Sequence, residues 1–235
     1  GNHVVNNFLR SILENYNRNE FDISLFFNID IKKQDGTTIA FKELVSNCYN
    51  IKNLNDLEAI NLIRKQKIDV MIDTMGLLSE NRIGLYKNRI APIQINWCGY
   101  CNTVGLKEMD YIFVDKNLIY SSEKNLYTEK VIYLPDIWNA HFGFKEERKK
   151  YPSPLIKNKY VTFGSFNNFS KISNKTIEVW AKILKKNKGS KLILKSGSPR
   201  DSEVLYEKFR KYNISNSIHF KSKTESFEEH LNLYK

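Results

Sequence analysis

A pair of cysteines separated by two residues is the first feature of this chain whose residue types and spacing could do chemistry. Cys98 and Cys101 lie in the segment NWCGYCNT, directly after the apolar run IQI. The C-x-x-C spacing is typical of thioredoxin-like redox sites, in which a following helix lowers the pKa of the attacking thiol. Residues 102–108 are all that separate the pair from MDYIFVD, an alternating β-rich run. Because that helix has no room, we expect a structural loop with ordinary free thiols, and thiol oxidoreductase activity is the alternative.

The other metal-binding and redox residues are few and scattered. The third cysteine is Cys48, and none of the four histidines is close enough in sequence to complete a compact zinc site. An odd number of cysteines does not predict a disulfide scaffold, and a reducing cytoplasm is the expected compartment. We therefore predict no metal site and a cytoplasmic location.

The formal net charge of +11 invites a nucleic-acid interpretation. However, the lysines are scattered among asparagines and isoleucines, and no block interleaves arginines with aromatic residues. We expect a solvated basic surface and no nucleic-acid partner, although a nucleotide diphosphate is compatible with this charge. No apolar run is long enough to span a bilayer, so we expect no membrane partner.

Residues 1–150 alternate between helical and strand patterns. Apolar residues recur at helical spacing over 5–16 and 54–65. Short β-rich runs predict strands at residues 22–27 and 68–74, and then in RIAPIQINW, MDYIFVD and KVIYLP. This alternation is typical of a doubly wound α/β sheet.

The charged residues and prolines of 145–158 predict a linker, after which the alternation restarts in residues 151–235. Strands are predicted at 160–166, 190–196 and SIHFK, and helices at 174–186 and 202–212. Two α/β units joined by a linker predict a ligand-binding cleft between them. Because the first unit has no strand before its first helix and the second has three strands, we expect a fragment truncated at both ends.

Several segments occur in an order that resembles the catalytic region of the O-linked N-acetylglucosamine transferases, including SPINDLY-like bacterial members. They are GNHVVNNFLRS, RIAPIQINWCGYCNTVGLKEMDYIFVD, YLPD, VTFGSFNNFSKI and EEHLNLY. The resemblance implies a GT-B fold, with two Rossmann-like halves facing a cleft that binds a UDP-sugar, the second half here being incomplete. It also implies tetratricopeptide repeats upstream.

The resemblance gives the C-x-x-C segment another interpretation. In the family this loop is similar to W-L-G-Y-P-G-T, so Cys98 replaces a leucine, Cys101 a proline and Asn102 a glycine. Gly99 matches the glycine whose missing side chain lets the backbone approach the sugar. Cys101 is therefore placed in a sugar-facing loop, and the two replacements at 101 and 102 call the rigidity of this loop into question.

Two residues are implied to be catalytic. His3 matches the histidine of the family's G-N-H segment, near the donor sugar and the acceptor hydroxyl, and its structural alternative is a helix-start histidine bonded to the backbone. Lys171 matches the family's lysine at the donor diphosphate. A fixed ammonium beside a helix N-terminus would stabilise the charge that develops on the leaving UDP.

Three further residues are implied to contact the donor. Phe166 matches a pocket aromatic, and Asn168 stands where animal members have glutamine. His230 matches a histidine that packs against the nucleotide, although Phe227 replaces a lysine found in animal members.

The implied activity is an inverting transfer of N-acetylglucosamine from UDP to serine or threonine hydroxyls of proteins, without a cofactor or metal. Fucose from GDP is the alternative within this fold, and a noncatalytic binding module is the alternative from another class. A Gly-rich phosphate-binding turn is expected beyond Lys235, so residues 1–235 alone are expected to be inactive.

Overall fold

The computed structural model describes residues 4–141, 143, 151–195 and 197–234. They belong to two compact units, Gly1–Lys145 and Glu146–Lys235. The domain boundary predicted from the sequence, between residues 150 and 151, stays a prediction because residues 144–150 lie outside the described residues.

The first unit contains two parallel sheets. Strand β1 pairs with β2, and β3, β4, β5 and β6 form a second sheet in that order. The elements, in chain order, are α1 (Val4–Asn15), β1 (Ser24–Phe27), α2 (Gly36–Leu44), β2 (Asn47–Asn50), α3 (Asp56–Lys65), β3 (Val70–Asp73), β4 (Ile93–Asn96), β5 (Tyr111–Val114) and β6 (Lys130–Tyr133). Short 3₁₀ helices occupy Ile31–Lys33, Ile83–Asn88 and Ser121–Leu126.

Local sequence signals account for the bounds of α3. Asn55 accepts a hydrogen bond from the backbone N–H of Glu58, and the Glu58 carboxylate accepts one from the N–H of Asn55, which forms a capping box. The helix buries Ala59, Ile60 and Ile63 against the core. The burial of this face holds the helix against the core.

The sequence analysis missed α2 and β2. Asp35 caps α2 by accepting a hydrogen bond from the Thr38 N–H at 3.0 Å, and this signal is visible in the sequence as Asp before a short apolar pattern. Strand β2 is four residues long and half-exposed, so its segment NCYN carries no clear alternation. Its pairing with β1 is a tertiary contact.

The second unit contains a three-stranded parallel sheet in the order β7, β8, β9. Its elements are α4 (Pro154–Asn158), β7 (Thr162–Ser165), α5 (Asn174–Lys186), β8 (Lys191–Lys195), α6 (Pro199–Arg210), β9 (Ile218–Lys221) and α7 (Phe227–Asn232), with 3₁₀ helices at Phe169–Lys171 and Ser215–Ser217. Leu192 and Leu194 of β8 pack in one core with Ile177, Leu205 and Phe209 of the helices.

Two predictions about proline-containing segments are wrong. Residues 154–158, predicted as linker, form α4, and helix α6 begins at Pro199 instead of residue 202. In both helices proline occupies the first position, and the preceding serine, Ser153 or Ser198, caps the N-terminus. Proline is tolerated there because the first N–H of a helix has no partner within the helix.

The described helices have at most 13 residues. None of them is long and apolar enough to cross a membrane.

Candidate functional site

Several aromatic and polar residues of the second unit lie near the carboxyl ends of its parallel strands. Phe166 follows β7, and Lys195 is the last residue of β8. Thr224 follows β9, and His230 lies on α7. The carboxyl edge of a parallel sheet is the usual ligand-binding edge in α/β proteins.

Three aromatic rings pack edge to face at this edge. The ring centroids of Phe166 and His230 are 5.7 Å apart, those of Phe166 and Tyr234 are 4.9 Å apart, and those of His230 and Tyr234 are 5.7 Å apart. The structure therefore brings together two residues predicted separately, Phe166 and His230. Tyr234 was missed, and it remains 62% exposed, so its ring is open to a ligand.

Lys195 was also missed by the sequence analysis. Its Nζ donates to Thr224 Oγ1 at 2.7 Å and lies 3.1 Å from His230 Nδ1. Partial burial, and then the Lys195 cation, hold the pKa of His230 below its ordinary value. The imidazole is therefore neutral at neutral pH.

Asn168 and Lys171 form a single turn after β7. Asn168 Oδ1 accepts a hydrogen bond from the Ser170 N–H at 3.0 Å, which caps the 3₁₀ helix ending at Lys171. Ser173 then caps α5 by accepting from the Thr176 N–H at 3.1 Å. Lys171 is exposed and lies just before the N-terminus of α5, and the placement of its ammonium at a donor diphosphate stays a prediction. Because Oδ1 of Asn168 serves the cap, its amide nitrogen is the atom that could donate to a ligand.

In the first unit, Gly99 lies where another backbone segment passes. A Cβ atom at this position would lie 1.8 Å from the carbonyl oxygen of Thr74 and 3.1 Å from Val5 Cγ2. The chain itself therefore requires a glycine at this position, and the contact with a sugar stays a prediction.

Buried polar contacts hold the loop that follows Gly99. Asn96 Nδ2 donates to the Asn102 carbonyl at 3.0 Å, and Glu129 accepts from Thr103 Oγ1 at 2.6 Å and from the Val104 N–H at 2.7 Å. Glu129 is 2% exposed. These bonds support the loop that carries Cys101 and Asn102.

The two cysteines of this loop have different surroundings. Cys98 is buried beside Val5, Ile95 and Trp97, and burial raises its pKa to about 12. Cys101 is exposed. No helix occurs between residues 101 and 110, so the helix that follows the cysteine pair in a thioredoxin-like site is missing from this segment.

His3 lies outside the described residues. Within the described ranges, no group of three or more histidine, cysteine, aspartate or glutamate side chains could hold a metal ion.

Comparison with known families shows which family the chain belongs to. Residues 1–144 match the sequence model of glycosyl transferase family 41. The chain belongs to glycosyl transferase family 41. The resemblance inferred from the motifs is thereby confirmed.

Relatives of this family-41 chain include plant SPINDLY proteins, named as probable UDP-N-acetylglucosamine–peptide N-acetylglucosaminyltransferases. The chain is 30% identical to that of Oryza sativa subsp. japonica over 88% of its own length and 22% of the relative. It is 32% identical to that of Petunia hybrida over 82% of its length and 21% of the relative. The chain therefore spans about a fifth of the lengths of these relatives.

A solved structure is similar over the whole chain. A mutant of the Thermobaculum terrenum O-GlcNAc transferase matches with a TM-score of 0.92 at 23% identity, over 100% of this chain and 45% of that one. With the all-parallel sheets, this match confirms the predicted α/β class and GT-B type of fold.

The cysteine environments of this family-41 chain predict a difference in alkylation. With iodoacetamide at pH 8 in the native state, Cys101 should be modified and Cys98 should stay unmodified, because a buried thiol of pKa about 12 carries almost no thiolate. Peptide mass spectrometry after short exposure measures both sites. Rapid modification of Cys98, or reduction of insulin by the protein, would support the oxidoreductase alternative.

Proposed function

We propose that this protein is an inverting O-glycosyltransferase that moves N-acetylglucosamine from UDP-N-acetylglucosamine to serine or threonine hydroxyls of proteins. The observation that carries the proposal is the match of residues 1–144 to glycosyl transferase family 41. The names of the SPINDLY relatives support the donor and the peptide acceptor. Because the chain spans about a fifth of those relatives, the activity is proposed for the full-length protein.

The proposed reaction joins the acceptor hydroxyl oxygen to the sugar's anomeric carbon from the face opposite the leaving group. The bond between that carbon and the UDP oxygen breaks, the hydroxyl proton passes to a base or to solvent, and UDP leaves with additional negative charge. Lys171, before the N-terminus of α5, is suited to stabilise this charge because an ammonium and a helix N-terminus both favour anions. We propose that this arrangement needs no metal.

The carboxyl edge of the second unit supports binding of the nucleotide. The Phe166, His230 and Tyr234 rings offer an aromatic surface, and Asn168 adds an amide. In the first unit, Gly99 and Cys101 are proposed to lie in the sugar-facing loop. His3 is proposed near the reacting groups from the family resemblance alone.

Further proposals concern the surroundings of the full-length protein. Tetratricopeptide repeats are proposed upstream, as the family resemblance implies. A cytoplasmic location is proposed because all three cysteines are free thiols.

Ligand-induced stabilisation of the full-length protein tests the proposed donor. UDP and UDP-N-acetylglucosamine should raise the Tm, whereas GDP-fucose should not, because only a ligand that binds the folded state stabilises it. Transfer of labelled N-acetylglucosamine to a peptide library then tests the reaction. Stabilisation by GDP-fucose alone would favour a fucosyltransferase, and nucleotide binding without transfer would favour a noncatalytic module.

A further inference from the structure

Lys195 is a half-buried lysine in contact with a proposed nucleotide-binding residue. Along β8, Leu192 and Leu194 point into the core, and Lys191, Ile193 and Lys195 alternate onto the other face. Lys195 is the last residue of the strand, so its side chain reaches the carboxyl edge of the sheet. There its Nζ meets Thr224 Oγ1 at 2.7 Å and His230 Nδ1 at 3.1 Å.

The chemistry of this contact constrains the imidazole. A lysine ammonium has three N–H donors and no acceptor. The 3.1 Å contact is therefore a hydrogen bond only if His230 Nδ1 carries a free lone pair. In a neutral imidazole with Nδ1 unprotonated, the proton lies on Nε2.

The neighbours of His230 fix the position of the ring as well as its tautomer. Phe166 and Tyr234 pack edge-on to the imidazole, with interplanar angles of 75° and 89°. The Thr224 hydroxyl holds Lys195, and the Glu229 carboxylate of the same helix accepts from the Glu225 N–H at 2.8 Å. The titratable groups that face the ring thus include Lys195 from β8 and Tyr234 from the end of the chain.

We propose that Lys195 is a positioning residue that locks His230 in the Nε2–H tautomer, so that a neutral imidazole in a fixed orientation faces the donor nucleotide. The contact with the nucleotide rests on the proposed transferase activity, whereas the tautomer does not. Lys195 acts through His230 and its partner Thr224. It is a binding determinant of the nucleotide, without contact to the reacting atoms.

The lowered pKa of His230 agrees with this role. Partial burial and the Lys195 cation both disfavour protonation, so the imidazole stays neutral as the pH falls toward its ordinary pKa. Removal of Lys195 takes away one of these two causes. The pKa of His230 should then rise, and the ring should become a mixture of tautomers with a protonated form at mildly acidic pH.

The test combines a spectroscopic measurement with kinetics on the full-length protein. Long-range ¹H–¹⁵N spectra of ¹⁵N-histidine-labelled protein, with the His230 signals assigned from their loss in His230→Gln, report which ring nitrogen is protonated. We expect the Nε2–H tautomer in the native protein, mixed tautomers in Lys195→Met, and a return to Nε2–H in Lys195→Arg, which keeps a donor-only cation. A protonated Nδ1 in the native protein would overturn the proposal.

The kinetic arm separates positioning from a merely structural role. Lys195→Met should raise the KM for UDP-N-acetylglucosamine about tenfold, the effect expected when the one hydrogen bond that orients His230 is removed, with kcat within about twofold. Lys191→Met is the matched control, because Lys191 lies on the same face of β8 but its Nζ donates to the Asn216 carbonyl at 2.9 Å. Equal KM values for the two variants would overturn the proposal.

Two further outcomes are also decisive. If Lys195→Met does not fold, Thr224→Val is the variant to measure, because this substitution removes the hydroxyl that holds Lys195. An unchanged His230 tautomer and an unchanged KM in Thr224→Val would then count against the proposal. If the native protein does not bind UDP-N-acetylglucosamine, the proposed function fails, while the spectra still decide the tautomer and the role of Lys195.

Discussion

Replacing Lys171 with alanine in the full-length protein is expected to lower kcat by about a hundredfold or more. Lys171 is exposed at the end of the 3₁₀ turn that leads into α5, and its side chain supports no core packing. The free energy of unfolding should therefore change little. The large kinetic effect follows if the ammonium stabilises the diphosphate mainly in the transition state, where the charge on the leaving UDP is greatest. Steady-state kinetics with saturating donor measure it.

Two companion variants decide whether the effect belongs to Lys171. Lys175→Ala is the control, since Lys175 is an exposed lysine on α5 in the same unit. It should keep nearly full kcat. Lys171→Arg should recover little activity, because a planar guanidinium does not fill the place of a compact ammonium. Equal, small effects of the two alanine variants would show that Lys171 is an ordinary surface lysine.

The alternation of helices and strands could be predicted because it is local. The helix predicted at 174–186 has the bounds of α5, since Ser173 provides a cap and Ile177, Ala181 and Leu184 repeat at helical spacing. Strand β2 could not be predicted in the same way, because its four residues gain their conformation from pairing with β1. The error at Pro154 came from treating proline only as a breaker of helices.

In the candidate site, too, some residues could be predicted from the sequence and others could not. Phe166, Asn168 and Lys171 follow one strand, and the family motif that contains them is continuous in sequence. Lys195 could not be assigned, because its partner His230 lies 35 residues away and the chain is rich in lysine. The support of the cysteine-containing loop by Glu129 is likewise invisible in sequence, because the Val104 N–H is 25 residues from its acceptor.

Gly99→Ala is expected to destabilise the protein by about 3 kcal/mol, at the upper end of the usual cost of overpacking. The added Cβ would lie 1.8 Å from the Thr74 carbonyl oxygen and 2.9 Å from its carbonyl carbon. Both atoms belong to the backbone directly after β3, so the strain cannot be relieved by rotating a side chain. Denaturant unfolding monitored by tryptophan fluorescence measures the loss.

The control for Gly99→Ala is Gly36→Ala. Gly36 is the first residue of α2, and no atom lies within 4 Å of the position its Cβ would take. Its free energy of unfolding should therefore change by less than about 0.5 kcal/mol. A Gly99→Ala protein with native stability and a raised KM for UDP-N-acetylglucosamine would contradict the expected clash with the Thr74 backbone. It would show instead that the missing side chain serves the approach of the sugar, as the family resemblance implies, because only the ligand would then meet the added methyl group.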